Sequence, residues 1–139
     1  MNKKLKIGVL VSGRGTNLQA IIAACHKNEI SAEVAVVIAN KKEAMAAGRA
    51  QRANIPTEII EHSKGTSQEE FETKITTALK KYHVELVVLA GFMKIITKTL
   101  IHAFPNHIIN IHPALLPAFP GLHSQQQALD YGVKVSGCT

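Results

Sequence analysis

Tryptophan is absent from this sequence, and aromatic residues make up only 4% of its 139 positions. Its core must therefore be built from aliphatic side chains, which is typical of strands that are buried on both faces of a parallel sheet. The two cysteines, Cys25 and Cys138, form no C-x-x-C pair and have no metal-ligand spacing, so no metal site is expected. Cys25 falls on the apolar face of a predicted helix, and we expect it to be a small buried residue.

Long hydrophobic runs are missing as well. The apolar run from Ile7 to Val11 is too short for a signal peptide, and no segment approaches the length of a transmembrane helix. These absences predict a cytoplasmic protein with no membrane partner. Acidic residues are outnumbered 10 to 16 by basic ones, which gives a formal net charge of +6. The basic residues are dispersed and have no aromatic neighbours, so we expect anionic small molecules rather than nucleic acid as partners.

Short apolar runs alternate with helical patterns along the whole chain. The patterns predict strands over 5–11, 33–39, 57–60, 85–90 and 108–111, and helices over 18–26, 43–53, 67–83, 97–103 and 124–131. This alternation predicts an α/β fold with a doubly wound, mainly parallel open sheet in three α-β-α layers. We expect one domain over residues 1–139. Residues 133–138 are predicted to begin a further strand.

The first candidate site is the segment Ser12-Gly13-Arg14-Gly15-Thr16-Asn17, between the first strand and the first helix. Its glycines let the backbone approach an anion, and the N–H groups of Gly15, Thr16 and Asn17 would lie at a positive helix terminus with Asn17 as N-cap. A phosphate is the natural ligand. Leu18 stands where a dinucleotide fingerprint has its third glycine, and no Walker A lysine follows. A tight turn without a ligand explains the composition equally well.

The second candidate site is the pair Asn110 and His112 at the end of the fifth predicted strand. Residues two apart in a strand share a face, and Pro113 favours extended backbone at His112. Ligands bind at the carboxyl ends of strands in open α/β sheets. An imidazole that moves protons beside an amide that donates to an oxyanion suits acyl transfer to an amine. A structural histidine is the alternative.

The third candidate is the apolar segment 90–96, which follows the fourth strand. Its side chains could enclose a flat heterocycle, although ordinary core packing is the simpler interpretation. His123 could contact an anion or cap the last helix, and the sequence favours neither.

Four segments together resemble phosphoribosylglycinamide formyltransferase, the folate-dependent enzyme family of purine synthesis. They are residues 12–21, Leu89-Ala90-Gly91-Phe92-Met93, Asn110-Ile111-His112-Pro113 with Leu115-Leu116-Pro117, and Pro120-Gly121-Leu122-His123. The resemblance extends over the chain from about Lys6 to Thr139. The Asn110 motif is shared by folate-dependent formyl transferases generally, whereas the early segment separates this family from its relatives.

The resemblance implies a reaction and a set of roles. A formyl group would pass from 10-formyltetrahydrofolate, a co-substrate, to the amine of glycinamide ribonucleotide. His112 would be the catalytic acid, and Asn110 would stabilise the tetrahedral intermediate and contact the folate. The substrate phosphate would be bound by Gly15, Thr16 and Asn17, and the folate by Met93, Lys94, Ile95 and Ile96. A homodimer is a candidate assembly.

The chain also departs from the family pattern. Lys94 replaces a frequent arginine and so offers a point charge in place of a bidentate fork. Gln68 stands where some members carry an arginine near the folate. The family continues for several strands and a helix that supply a catalytic aspartate, whereas the only aspartate here is Asp130. We therefore expect a C-terminally incomplete domain and little transferase activity from the 139-residue chain alone.

Two alternatives stay open at this point. One is a non-catalytic module that binds phosphate or a nucleotide through the first loop. The other is a formyltransferase or deformylase relative that uses the same folate site on a different substrate.

Overall fold

The computed structural model describes residues 3–139. Within that range the elements are β1 Leu5–Val11, α1 Thr16–His26, β2 Ala32–Ala39, α2 Met45–Arg52, β3 Thr57–Ile59, α3 Gln68–Lys81, β4 Leu86–Leu89, α4 Lys98–Ala103, β5 Ile108–Asn110 and α5 Ser124–Tyr131. The five strands predicted up to residue 111 and the five predicted helices are present, with ends displaced by no more than a few residues. The chain divides after Ile109 into two compact units.

The strands form a parallel sheet in the order β3-β2-β1-β4-β5. The chain first moves outward from β1 to β2 and β3, and then crosses to β4 on the other side of β1. β1 is therefore paired on both sides, and its pairing with β2 runs from Leu5 opposite Ala32 to Val11 opposite Ala39 with a register shift between Ile7 and Gly8. This reversal between β1 and β4 is the doubly wound topology predicted from the sequence.

Alternate residues of the central strands point to opposite faces of the sheet and pack into two separate hydrophobic cores. On one face, Val9 and Val11 pack with Leu18 and Ile22 of α1 and with the buried alanines of α2. On the other face, a second cluster joins the sheet to α3 and α4 through Leu10, Val36, Ile38, Phe71, Ile75, Leu79 and Leu100. The sheet therefore lies between two helix layers, as the aliphatic composition predicts.

Cys25 is buried in the first of these cores, where α1 faces the sheet. Burial raises the pKa of its thiol, with smaller and opposed effects from Lys4 and Glu33. Its expected role as a small core residue is confirmed. Cys138 is exposed.

The second unit, residues 110–139, contains α5 and two irregular segments. α5 ends at Gly132, whose left-handed φ of 82° terminates the helix. The predicted strand over residues 133–138 is wrong, because these residues have no regular secondary structure. A strand needs a hydrogen-bonded neighbour along its length, whereas this tail forms a two-way backbone pair only where Thr139 meets His112.

Candidate functional site

The first unit brings two of the predicted ligand-binding segments to one edge of the sheet. β1 and β4 lie at the point where the strand order reverses, which is where ligands bind in open α/β sheets. Ser12 follows β1 directly and is buried. Its Oγ accepts a 2.8 Å hydrogen bond from the backbone N–H of Met93, in the segment after β4. A hydrogen bond therefore connects the start of the glycine-rich loop, at Ser12, with the apolar segment, at Met93.

The amino terminus of α1 is open to solvent. The helix begins at Thr16, one residue before the predicted N-cap, and the N-cap is Gly15 rather than Asn17. No side chain caps the first turn and no acidic residue lies in it. Since Thr16 and Asn17 are exposed, the N–H groups of this turn face solvent at the positive end of the helix dipole. That is the arrangement expected of an anion site.

Gly15 is fixed by its backbone conformation and by its neighbour α2. Its φ of 75° is left-handed, and an added Cβ would lie 2.6 Å from Ala46 Cβ and 2.7 Å from Ala46 Cα. The N–H of Ala46 donates a 3.1 Å hydrogen bond to Gly13 O. Arg49 Nε donates to Arg14 O at 2.8 Å. Ala46 and Arg49 of α2 thus fix the backbone conformation of the loop between β1 and α1.

The segment after β4 exposes apolar side chains. Met93 is 60% and Ile95 87% exposed, and Lys94 is also exposed. Ile96 is partly buried and packs against the second core. The core-packing interpretation therefore holds for Ile96 but is wrong for Met93 and Ile95. Exposed apolar side chains at the carboxyl edge of a strand form a surface that suits a flat ligand.

A buried carboxylate lies beneath this segment. Glu72 of α3 is 1% exposed. It accepts hydrogen bonds from Thr97 N at 2.7 Å, Thr97 Oγ1 at 2.8 Å, Leu100 N at 3.0 Å and Gln68 Nε2 at 2.9 Å. Burial alone raises the pKa of Glu72, but the hydrogen bonds from Gln68, Thr97 and Leu100 outweigh it and hold that pKa below its ordinary value.

Gln68 is the position at which the sequence predicts a departure from the family it resembles. Its Nε2 donates both to Glu72 and, at 3.1 Å, to the carbonyl oxygen of Ile95. The amide nitrogen is therefore engaged by the protein itself.

The second unit holds Asn110 and His112. Asn110 is the last residue of β5 and is exposed. The strand ends before His112, so strand periodicity does not extend to that residue, and the alignment of the two side chains stays a prediction. The backbone of His112 instead pairs with Thr139, by His112 N to Thr139 O at 2.8 Å and Thr139 N to His112 O at 2.9 Å.

The ring of His112 is oriented by the loop that follows it. His112 Nε2 lies 3.1 Å from the carbonyl oxygen of Phe119. Because a carbonyl oxygen can only accept, this contact places a proton on Nε2. In the neutral ring the other nitrogen, Nδ1, is then the acceptor.

The loop between His112 and α5 is fastened to the helix by side chains. Gln127 Nε2 donates to the carbonyl oxygens of Pro120 at 3.0 Å and Leu122 at 2.8 Å. Buried Ser124 donates to Pro113 O at 3.2 Å. His123 occupies the N-cap position of α5, but its side chain forms no capping hydrogen bond. The side chain of His123 therefore does not cap the helix, although the residue occupies the N-cap position.

Several residues of these sites had no role in the sequence-based prediction. Ala46, Arg49 and Glu72 act across sequence separations of about 25 residues or more, and their local patterns are those of ordinary helices. Ser12 was part of the predicted motif, but its link to Met93 is a tertiary contact. Within residues 3–139, no group of three or more His, Cys, Asp or Glu side chains could hold a metal ion. No helix in the same range is both long and apolar enough to cross a membrane.

Comparison with known proteins gives a consistent result. A family model described as "Formyl transferase" matches residues 5–139. The phosphoribosylglycinamide formyltransferase of Haemophilus influenzae is 43% identical over 134 residues, covering 96% of this chain and 63% of the relative. The trifunctional purine biosynthetic protein adenosine-3 of Gallus gallus is 41% identical, covering 98% of this chain and 14% of the relative.

Solved structures agree with this match. The glycinamide ribonucleotide transformylase 1 of Symbiobacterium toebii superimposes with a TM-score of 0.95 and 46% identity, covering all of this chain and 66% of that one. The chain thus spans less than two thirds of the length of each of these three proteins.

Proposed function

Because this chain belongs to the formyl transferase family, we propose that it acts in the transfer of a formyl group from 10-formyltetrahydrofolate to the amine of glycinamide ribonucleotide. The observation that carries the proposal is the bond from Met93 N–H to Ser12 Oγ. It places an open helix terminus and an exposed apolar segment at the same switch point of the sheet. One suits a phosphate and the other a heterocycle, which are the recognition features of the two substrates.

The phosphate of the ribonucleotide would be bound by the backbone of Gly15, Thr16 and Asn17. The uncapped first turn of α1 supplies N–H donors there, and the bracing by Ala46 and Arg49 supports their arrangement before a ligand arrives. Preorganised donors lose little entropy on binding.

The folate would be bound within the first unit by Met93, Lys94, Ile95 and Ile96. The exposed side chains of Met93 and Ile95 would cover its flat ring system. Lys94 supplies a positive charge for an anionic ligand.

Asn110 and His112 would carry the chemistry. The substrate amine attacks the formyl carbon, a C–N bond forms, and negative charge develops on the formyl oxygen, to which the Asn110 amide can donate. The bond from that carbon to the folate nitrogen then breaks. His112 would give a proton to the leaving nitrogen and take up the proton that the attacking amine releases, so that the ring ends the step as it began.

The phosphate assignment can be tested by adding a negative charge to the loop. Thr16→Glu places a carboxylate in the exposed first turn of α1, where it favours the helix but repels a bound phosphate. We expect the affinity for glycinamide ribonucleotide, measured by calorimetry, to fall at least about tenfold.

The matched control is Ala20→Glu, an exposed position one turn further along the same helix. It adds the same charge away from the helix terminus and is expected to change the affinity less than about threefold. Equal affinities for Thr16→Glu and the unmodified chain would place the phosphate elsewhere and remove the main support for the assignment.

A non-catalytic module that binds phosphate is the second candidate, because the glycine loop lies wholly within the first unit. The two candidates differ in their response to folate. The formyl-transfer proposal expects binding of 10-formyltetrahydrofolate, whereas a phosphate module would bind no folate and would keep its ribonucleotide affinity in His112→Ala.

A further inference from the structure

We propose that Glu72 is a positioning residue for the folate-binding segment, and that Gln68 carries its effect to Ile95. The inference rests on the proposed function, because it assigns a role within the folate site. Neither residue belongs to the segment itself, and both lie on α3.

The hydrogen bonds of Glu72 converge on the chain that follows the segment. One carboxylate oxygen accepts from Thr97 N and Gln68 Nε2, and the other from Thr97 Oγ1 and Leu100 N. Thr97 comes directly after Ile96 and is the N-cap of α4. The far end of the segment is therefore fixed by one buried side chain.

Gln68 extends this anchoring into the segment. Its Nε2 is held by Glu72 and donates to Ile95 O at 3.1 Å. At the near end, Ser12 Oγ holds Met93 N. The backbone is thus bonded at Met93, Ile95 and Thr97, while the side chains of Met93 and Ile95 remain exposed. A backbone held at alternate residues presents those side chains in one arrangement before the ligand binds.

A carboxylate is a costly choice for a site that only joins two helices. Burying its charge is unfavourable unless every acceptor is satisfied, and an aliphatic side chain would pack α3 against α4 without that cost. The four donors that surround Glu72 come from the segment that follows Ile96, from the start of α4 and from Gln68. This distribution indicates that the charge orders the backbone near the ligand.

The first test replaces Glu72 by glutamine. Glu72→Gln keeps the volume, but its amide nitrogen cannot accept, so one pair of donors loses its acceptor in either orientation. We expect the backbone amide of Thr97 or of Leu100, whichever loses its acceptor, to exchange with deuterium at least about tenfold faster, and the affinity for 10-formyltetrahydrofolate to fall about tenfold. The affinity for glycinamide ribonucleotide is expected to change less than about twofold, since its proposed loop has no bond to Glu72.

Two further variants separate positioning from general stability. Leu79→Ala lies in the buried face of the same helix but makes none of these bonds, so it should lower the melting temperature without a selective loss of folate affinity. Gln68→Ala removes only the bond to Ile95 O and one donor to Glu72, and should weaken folate binding about threefold in a folded protein.

The outcomes distinguish this inference from the proposed function. If the unmodified chain binds no folate, the proposed function fails, and the exchange rates of the Thr97 and Leu100 amides still decide whether Glu72 orders the end of the segment. If the chain binds folate but Glu72→Gln weakens folate and ribonucleotide binding equally, as Leu79→Ala does, Glu72 is only structural. Unchanged exchange and unchanged folate affinity in Gln68→Ala would remove its part in the inference.

Discussion

At the scale of single residues, the shape of the first loop depends on Gly15. Its left-handed φ could be adopted by asparagine or another residue at some cost, but no side chain fits against Ala46 at 2.6 Å. The turn can therefore approach α2 closely only if this position is glycine.

Gly15→Ala is expected to destabilise the protein by about 2 kcal/mol or more, because it combines a left-handed alanine with a backbone clash. Gly13→Ala is the control, since an added Cβ there meets no atom within 4 Å. It should change the free energy of unfolding by less than about 0.5 kcal/mol. Urea denaturation of the two variants measures the difference, and equal stabilities would refute the packing argument.

The residues of the first loop could be predicted from the sequence, but Ala46 and Arg49, which hold that loop, could not. Glycines between an apolar run and a helical pattern mark a strand-to-helix turn, so Gly15, Thr16 and Asn17 could be placed in advance. Asparagine is a common N-cap, so the sequence predicts Asn17 as the cap of α1. In the structure the left-handed Gly15 is the N-cap, and the helix therefore begins earlier, at Thr16. The strand periodicity used to align His112 with Asn110 does not reach His112, because β5 ends earlier than the apolar pattern does.

At the scale of elements, α3 and α4 are joined through a charge as well as through apolar packing. Glu72 is ionised in the folded protein, and its pKa is held below the ordinary value of 4.5. A carboxylate whose pKa is lower in the folded than in the unfolded chain stabilises the fold above the unfolded pKa. That stabilisation is lost as the pH falls through the folded pKa.

We therefore expect the free energy of unfolding to decrease as the pH is lowered from about 5 to about 3. Glu72→Gln should show a smaller decrease over the same range. Glu70, with its hydrogen bonds from Ser67, and Glu85, with its bond from Lys3, also have lowered pKa values. They remain in both proteins, so their effects cancel in the comparison. Parallel pH profiles from chemical denaturation would contradict the ionised state assigned to Glu72.

The helices and strands were predictable where local patterns coincide with tertiary packing. The Ser67–Glu70 capping box predicted the start of α3, and both of its hydrogen bonds are present. The alternation of Val133 and Val135 predicted a strand that is absent, because a strand also requires a neighbour with which to pair. The network around Glu72 could not be predicted, since an isolated glutamate in a helical pattern is usually a solvent-exposed residue.

At the scale of the whole molecule, the basic charge is consistent with the proposed ligands. The net charge of +6 is spread over the sequence, while the phosphate and the folate are both anionic. A positive field concentrates such ligands near the protein and is weakened by salt.

The affinity for glycinamide ribonucleotide should therefore fall several-fold as sodium chloride is raised from about 0.05 M to about 0.5 M. Thr16→Glu should show a weaker dependence, because its added carboxylate offsets part of the local positive potential. Sucrose of equal osmolality serves as the control for effects unrelated to charge. A salt-independent affinity would indicate that the ribonucleotide is not held through its phosphate.

The central claim is that two ligand-binding segments meet at the switch point between β1 and β4. Its most direct test is to titrate the isotopically labelled chain with each substrate and follow the backbone amides by NMR. Glycinamide ribonucleotide should shift the amides of residues 15–18, and 10-formyltetrahydrofolate those of residues 92–97. Saturating ligands that leave both sets of amides unmoved, or shift only residues elsewhere, would contradict the account.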